Sequence, residues 1–142
     1  MKAFKSLFLV AVLGIVAVGC GKVENILPKK DGLWVGVSST TESYVNDSLV
    51  STEVQTDSLG QLFFAKDGTG YSTDTDGSNR TDFTWSVNEE NDQITLTDTS
   101  GVPLVYDILE SSNSAMTWFT TFSFNLLGMD YRSDITAELE RK

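Results

Sequence analysis

The sequence predicts an all-β domain: an antiparallel up-and-down meander closed into a barrel of about eight strands. Three observations carry this prediction. Apolar and polar side chains alternate over most segments beyond residue 30, the period of a strand with one buried face. Clusters of Gly, Asp, Asn and Ser interrupt those segments at short intervals, as turns between consecutive strands require. No convincing amphipathic helical pattern competes with them. A meander of eight or nine strands must curl to bury its apolar face, and closure into a barrel removes exposed edges; a two-sheet sandwich is the competing architecture.

Taken in order, "GLWVGVSSTT" from Gly32 predicts a first strand, and "SYVNDSLVSTEVQT" from Ser43 a second, less regular stretch with Asp47 as its weak point. "QLFFAK" (Gln61 to Lys66) and "GYSTDT" (Gly70 to Thr75) flank "DGTG", which predicts a hairpin. "DFTWSVN" sets Phe83, Trp85 and Val87 on one face, and "DQITLTD" sets Ile94 and Leu96 on one face after the polar turn "NEEN". Beyond "TSGVP", Leu104, Tyr106 and Ile108 of "LVYDILE" share a parity. "AMTWFTTFSF" carries Met116, Trp118, Phe122 and Phe124 on one side and Phe119 on the other. "NLLG" turns the chain into "MDYRSDITAELE", whose Tyr131, Ile135, Ala137 and Leu139 suit a closing strand. A helix is the alternative for this last piece, because Ala137 to Arg141 contains good helix formers.

The amino terminus has a different character. Met1 to Gly19 has the layout of a secretory signal, with Lys2 and Lys5 ahead of an apolar or glycine run from Leu7 to Val18. That run is too short to span a bilayer, which takes about 20 residues. "VAVGC" then places small residues directly before Cys20, the only cysteine of the chain. A single thiol in an exported protein has no intramolecular disulfide partner, which leaves lipidation or a free reactive group. Residues 1–19 therefore read as a signal peptide, residues 20–30 as the cysteine and a polar tether, and residues 31–142 as the barrel domain; the resemblance of "VAVGC" to a lipobox implies a lipoprotein signal peptide and a lipidated Cys20.

Charge and residue types narrow the function. The signal holds two lysines and no acid, so the 123 residues after it carry 8 basic and 20 acidic side chains, a net charge of −12. That balance argues against nucleic acid and against a patch for anionic lipid heads. Histidine is absent. With no histidine and a single cysteine, the usual Ser/His/Asp and Cys/His nucleophiles cannot be assembled, nor zinc sites that rely on His or Cys. No enzyme activity and no cofactor are expected.

These segments together resemble a known family. "GLWVGV", "LFFAKDGTGY", "FTWSVNEENDQITLTD", "YDILESSNSAMTW" and a final strand, in that order and spacing, are similar to the lipocalin-like domains of small bacterial lipoproteins over Asp31 to Lys142. "VAVGC" likewise resembles a lipobox, with Ala17 where Leu is commonest. The resemblance implies an eight-stranded barrel with an apolar cavity for a small hydrophobic ligand. It implies a diacylglycerol thioether on Cys20 with an amide-linked acyl chain such as palmitate. Gly21, in place of an aspartate after the cysteine, favours the outer membrane, on its periplasmic or its surface face. Gly32 and Trp34 resemble the family's Gly-x-Trp, and Arg132 is the positional candidate for the arginine that lies across that indole.

The candidate ligand-facing set is Trp34, Phe64, Trp85, Tyr106, Met116, Trp118 and Phe122, weighed against an interior filled by side chains. The other chemical candidate is "AKDGTGYSTDTDGSNRTD" (Ala65 to Asp82), whose alternating aspartates resemble a calcium loop. With Gly77 at the sixth position, Ser72 falls at the first and Phe83 at the twelfth, so the two strongest ligands are missing. Two turns, at Asp67–Gly70 and near Asp76–Asn79, with no metal, are expected instead. The leading expectation is a lipid-anchored, non-catalytic binder of a small apolar ligand. The alternative is a protein-interaction or inhibitor module that uses the barrel as scaffold.

Overall fold

Nine strands and one helical turn make up the described residues, 22–57 and 59–142, of the computed structural model. Residues 1–19, read as a signal from the sequence, and Cys20 lie outside the described residues. The turn α1 (Val23–Ile26) is followed by β1 (Leu33–Val45), β2 (Ser48–Gln55), β3 (Gln61–Phe64), β4 (Thr69–Thr73) and β5 (Thr81–Val87), then by β6 (Gln93–Asp98), β7 (Pro103–Ser111), β8 (Ala115–Leu126) and β9 (Met129–Arg141). Each strand from β3 to β9 pairs antiparallel with the next, and β9 pairs back onto β1, so β1 and β3 to β9 close an eight-stranded barrel.

The ninth strand explains the barrel's asymmetry. One side of β1 is taken by β9 along its length, while the other is divided: Leu33–Val35 pair with β3, and Ser39–Val45 pair with β2. β2 is thus an extra edge strand beside the upper half of β1. Since β1 and β9 have 13 residues each and β8 has 12, against 4 and 5 for β3 and β4, one wall is far taller. At about 3.3 Å per residue the tall wall reaches roughly 40 Å and the short one about 15 Å. Above the short strands, β2 and the upper halves of β1, β9 and β8 continue as a four-stranded sheet.

Two tight turns cap that extension. Asn46 and Asp47 have φ of 49° and 61°, and Leu127 and Gly128 have 54° and 79°. Positive φ at both central residues is what a two-residue type I′ hairpin requires. The second sequence stretch is therefore corrected: its first three residues end β1, and the chain reverses at Asn46–Asp47. The closing piece is strand, not helix.

The segment expected to be a tether is also corrected. Val23, Ile26 and Leu27, at i, i+3 and i+4, present one apolar side of the helical turn, and all three are buried under the barrel floor. Full burial of each contributes at most about 1.5–3 kcal/mol. Val23 donates its N–H to Asn91 Oδ1 at 2.6 Å in the β5–β6 loop. From Lys22 onward the chain belongs to the folded unit.

At this closed end the arginine over Trp34 is Arg141, 4.4 Å from the ring centroid, rather than Arg132. The ladder decides it, since Trp34 pairs directly with Arg141. The guanidinium also donates to the carbonyls of Ile26, Lys29 and Asn113, tying α1 and the β7–β8 loop to the barrel. Arg132 lies instead near the upper rim, over Tyr44 at 4.2 Å and paired with Asp47 and Asp134.

The aspartates of Ala65–Asp82 act as turn acceptors. Asp67 accepts the Thr69 hydroxyl and N–H at 2.6 and 3.0 Å, and Asp76 accepts those of Ser78 at 2.6 and 2.9 Å. Asp98 repeats the pattern with Ser100. These hydroxyl bonds, with the backbone N–H bonds second, hold all three carboxyls below the ordinary range.

Candidate functional site

Cross-strand pairing fixes which side chains share the barrel interior, because directly opposed residues lie on one face. Phe64 pairs with Gly70 and Gly70 with Phe83; Trp85 pairs with Leu96, and Leu96 with Leu104. Ile94 pairs with Tyr106, Ile108 with Trp118, and Met116 with Leu139. The seven candidate residues therefore all sit on the inner face, and their heights along the barrel separate them.

Six form or adjoin the packed floor. Phe64 is its hub, edge-on to Trp85 at 5.6 Å and 88° and to Trp118 at 6.0 Å and 80°, and tilted against Phe83 at 5.5 Å. Tyr106 meets Trp118 at 5.5 Å. Such pairs contribute about 0.5–1.5 kcal/mol beyond area burial. Gly70 makes room for this layer: a Cβ there would fall 2.4 Å from Phe83 Cε2 and from the Phe63 carbonyl oxygen. Trp34 is 0% exposed, sealed by Arg141 and α1, with its Nε1 donating to the Leu27 carbonyl at 3.0 Å. Trp34, Phe64 and Met116 thus belong to the packed floor rather than to a ligand-facing surface. Trp85 and Tyr106 are half-buried around it, and burial raises the Tyr106 hydroxyl pKa.

Phe122 stands higher. On β8 the inward stripe runs Met116, Trp118, Thr120, Phe122, Phe124, Leu126; its first two members are buried, Phe122 is 45% exposed and Phe124 61%. The matching stripe of β9 descends through Met129, Tyr131, Ser133 and Ile135, and Tyr131 stacks on Phe124 at 5.1 Å and 8°. The apolar stripe that fills the floor therefore continues upward as an exposed wall, where the short β3 and β4 provide nothing opposite. Phe124, with the half-buried Tyr131 and Ile135, completes this wall. Their parity was legible in the sequence, but their exposure depends on strand lengths.

A separate groove of about 490 Å³ lies across the outer surface of β3 to β6. Its wall is layered, with Phe63 stacked on Tyr71 at 4.9 Å and Arg80 over Tyr71 at 4.0 Å, and Thr84 and Thr97 line the far side. None of the seven candidates contributes to it. Among the described residues no group of three or more Cys, Asp or Glu side chains is placed to hold a metal ion.

The model of a family described as "lipocalin-like domain" matches residues 31–118. Solved structures similar to this chain include apocrustacyanin C2, at 14% identity and a TM-score of 0.48 over 78% of this chain and 59% of that one. Apocrustacyanin C1 is similar at 15% identity and a TM-score of 0.49, over 86% of this chain and 70% of that one. The chain thus spans less than two thirds of the length of apocrustacyanin C2. No curated protein matches it.

Proposed function

The chain belongs to the lipocalin-like domain family, and from that premise we propose that it binds one small apolar molecule at the open end of its barrel, without catalysing a reaction. The observation that carries this reading is the inner wall above the floor, where Phe122, Phe124, Leu126 and Met129 face the mouth and remain exposed. An apolar surface on the concave side of a barrel, continuous with the core, is the kind of surface small-molecule sites use. Native mass spectrometry of the protein purified from its own envelope tests it, together with a thermal screen against fatty acids and other apolar compounds. A co-purifying ligand and a stabilising compound are expected. Absence of both removes the reading.

The protein is further proposed to be held at the bacterial outer membrane by lipid on Cys20. The support is the residue pattern before that cysteine. Several acyl chains, at about 0.8 kcal/mol per buried methylene, give stable attachment where one is marginal. Cys20→Ser is expected to move the protein from the membrane fraction to the soluble fraction. Membrane attachment retained by this variant contradicts the anchor.

One observation favours a second reading, contact with another protein. Leu127, at the tip of the β8–β9 hairpin, is 91% exposed, and the whole of β2 beside it is an exposed edge strand. Exposed apolar tips and unpaired edges are surfaces onto which other chains add. A pull-down from envelope extract that is lost with Leu127→Asn, while compound binding persists, supports this second reading.

A further inference from the structure

The five lysines that follow Cys20 are not spread over the surface. Lys22, Lys29 and Lys30 flank α1, Lys66 lies in the β3–β4 loop and Lys142 follows β9, so all five gather at the closed end. Three of them, Lys29, Lys30 and Lys66, line one pocket of about 470 Å³ together with Glu24, Asn25 and Pro28. Backbone bonds fix its frame: the N–H of Lys29 donates to the Ile26 carbonyl at 3.1 Å, that of Gly32 to the Lys29 carbonyl at 3.0 Å, and that of Phe64 to the Gly32 carbonyl at 2.9 Å. The last of these sets the loop beside the end of β3. Lys30 holds a φ of 55°, a conformation that glycine or asparagine takes more readily, and its side chain is exposed, so packing does not account for a lysine there.

These ammonium groups lack counter-charges. Arg80 and Arg132 each pair with a carboxylate, whereas among the described residues none lies within 4.0 Å of Lys29, Lys30 or Lys66 Nζ. Lys29 Nζ donates to a neutral acceptor, Asn113 Oδ1, at 3.0 Å, and Glu24, the carboxylate of the pocket, faces Lys22 at 3.9 Å. The net charge that argues against anionic lipid heads is an average over the chain, and it hides this segregation. We propose that the closed-end pocket is an anion site for a phosphate monoester, borne by a sugar or by a lipid headgroup. Three ammonium groups against one carboxylate leave a charge of +2, which matches the about −1.5 to −2 of a phosphate monoester near neutral pH and exceeds the single charge of a carboxylate. Lysine binds phosphate as a point charge, without the fixed fork of arginine. The pocket is larger than one phosphate, and Asn25 supplies an amide beside the lysines for the hydroxyls of the group that carries it.

Isothermal titration calorimetry of the purified protein at low salt tests the site, with glucose 6-phosphate, dihexanoyl phosphatidic acid, glucose and glucuronate as probes. A phosphate monoester is expected to bind at least about tenfold more tightly than glucose or glucuronate, and the tighter of the two phosphates names the carrier as sugar or lipid. Lys29→Gln/Lys30→Gln/Lys66→Gln is expected to lose this binding, while Lys142→Gln, at the same end but outside the pocket, keeps it. Should the triple variant fail to fold, each single variant is expected to weaken binding by about threefold. Binding of neither phosphate overturns the proposal, as does glucuronate bound as tightly as the phosphates. Equal phosphate binding by wild type and the triple variant, or by wild type and every single variant, overturns it as well.

Discussion

Leu127 is the residue whose chemistry fits its place least. Its φ of 54° lies in the left-handed region, and its side chain is almost fully exposed. For a branched residue that conformation costs about 1–2 kcal/mol, and Asn is the ordinary occupant, as at Asn46 in the neighbouring hairpin. Leu127→Asn is therefore expected to stabilise the fold by about 1 kcal/mol. Urea unfolding with an unchanged slope checks this; a lower midpoint contradicts the strain. A residue that costs stability and yet offers apolar surface is what a contact site looks like. Residue identity was readable only in part from the sequence. Two arginines compete for the place over Trp34, and only the β1–β9 register selects Arg141. That register is set by tertiary pairing, which local pattern does not report.

At the scale of elements, the aspartate turns explain how a sequence resembling a calcium loop becomes a pair of hairpin reversals. Asp67, Asp76 and Asp98 each bond a hydroxyl and an N–H two residues ahead. Their folded pKa values lie below the unfolded value of about 3.9. Depressed carboxylates contribute stability above the unfolded pKa and lose it as the pH falls through the folded one. With no histidine in the chain, the thermal midpoint should hold steady from about pH 5 to 8 and fall on acidification below about pH 4. A step between pH 6 and 7 would contradict this assignment. Strand parity was legible because the side-chain period of two depends on the backbone alone. The helical turn α1 was not legible, since one turn with three apolar residues is too short to show a period. The division of β1 between two partners on one side was hidden as well, because Asn46–Asp47 lies inside a polar run that continues the strand pattern.

For the whole molecule, the unequal height of the barrel walls is the organising fact. Three long strands and an extra edge strand stand opposite two short ones, so one apolar stripe is core at its lower end and exposed wall at its upper end. The sequence placed Met116, Trp118, Phe122 and Phe124 on one side without showing which of them the fold would cover. Six of the seven candidates in that reading lie in or around the floor, and the seventh, Phe122, marks the wall where a ligand would sit. The central claim is that this wall binds. Fluorescence titration of the purified protein with Nile red, a neutral apolar dye, tests it most directly when wild type is compared with Phe122→Ser/Phe124→Ser. Since both side chains lie outside the buried core, the variant should stay folded, losing little more than the Phe124–Tyr131 stack, about 0.5–1.5 kcal/mol. The account predicts a saturable rise in emission at one site for wild type and its loss in the variant. An equal rise in both proteins, or none in either, would contradict it.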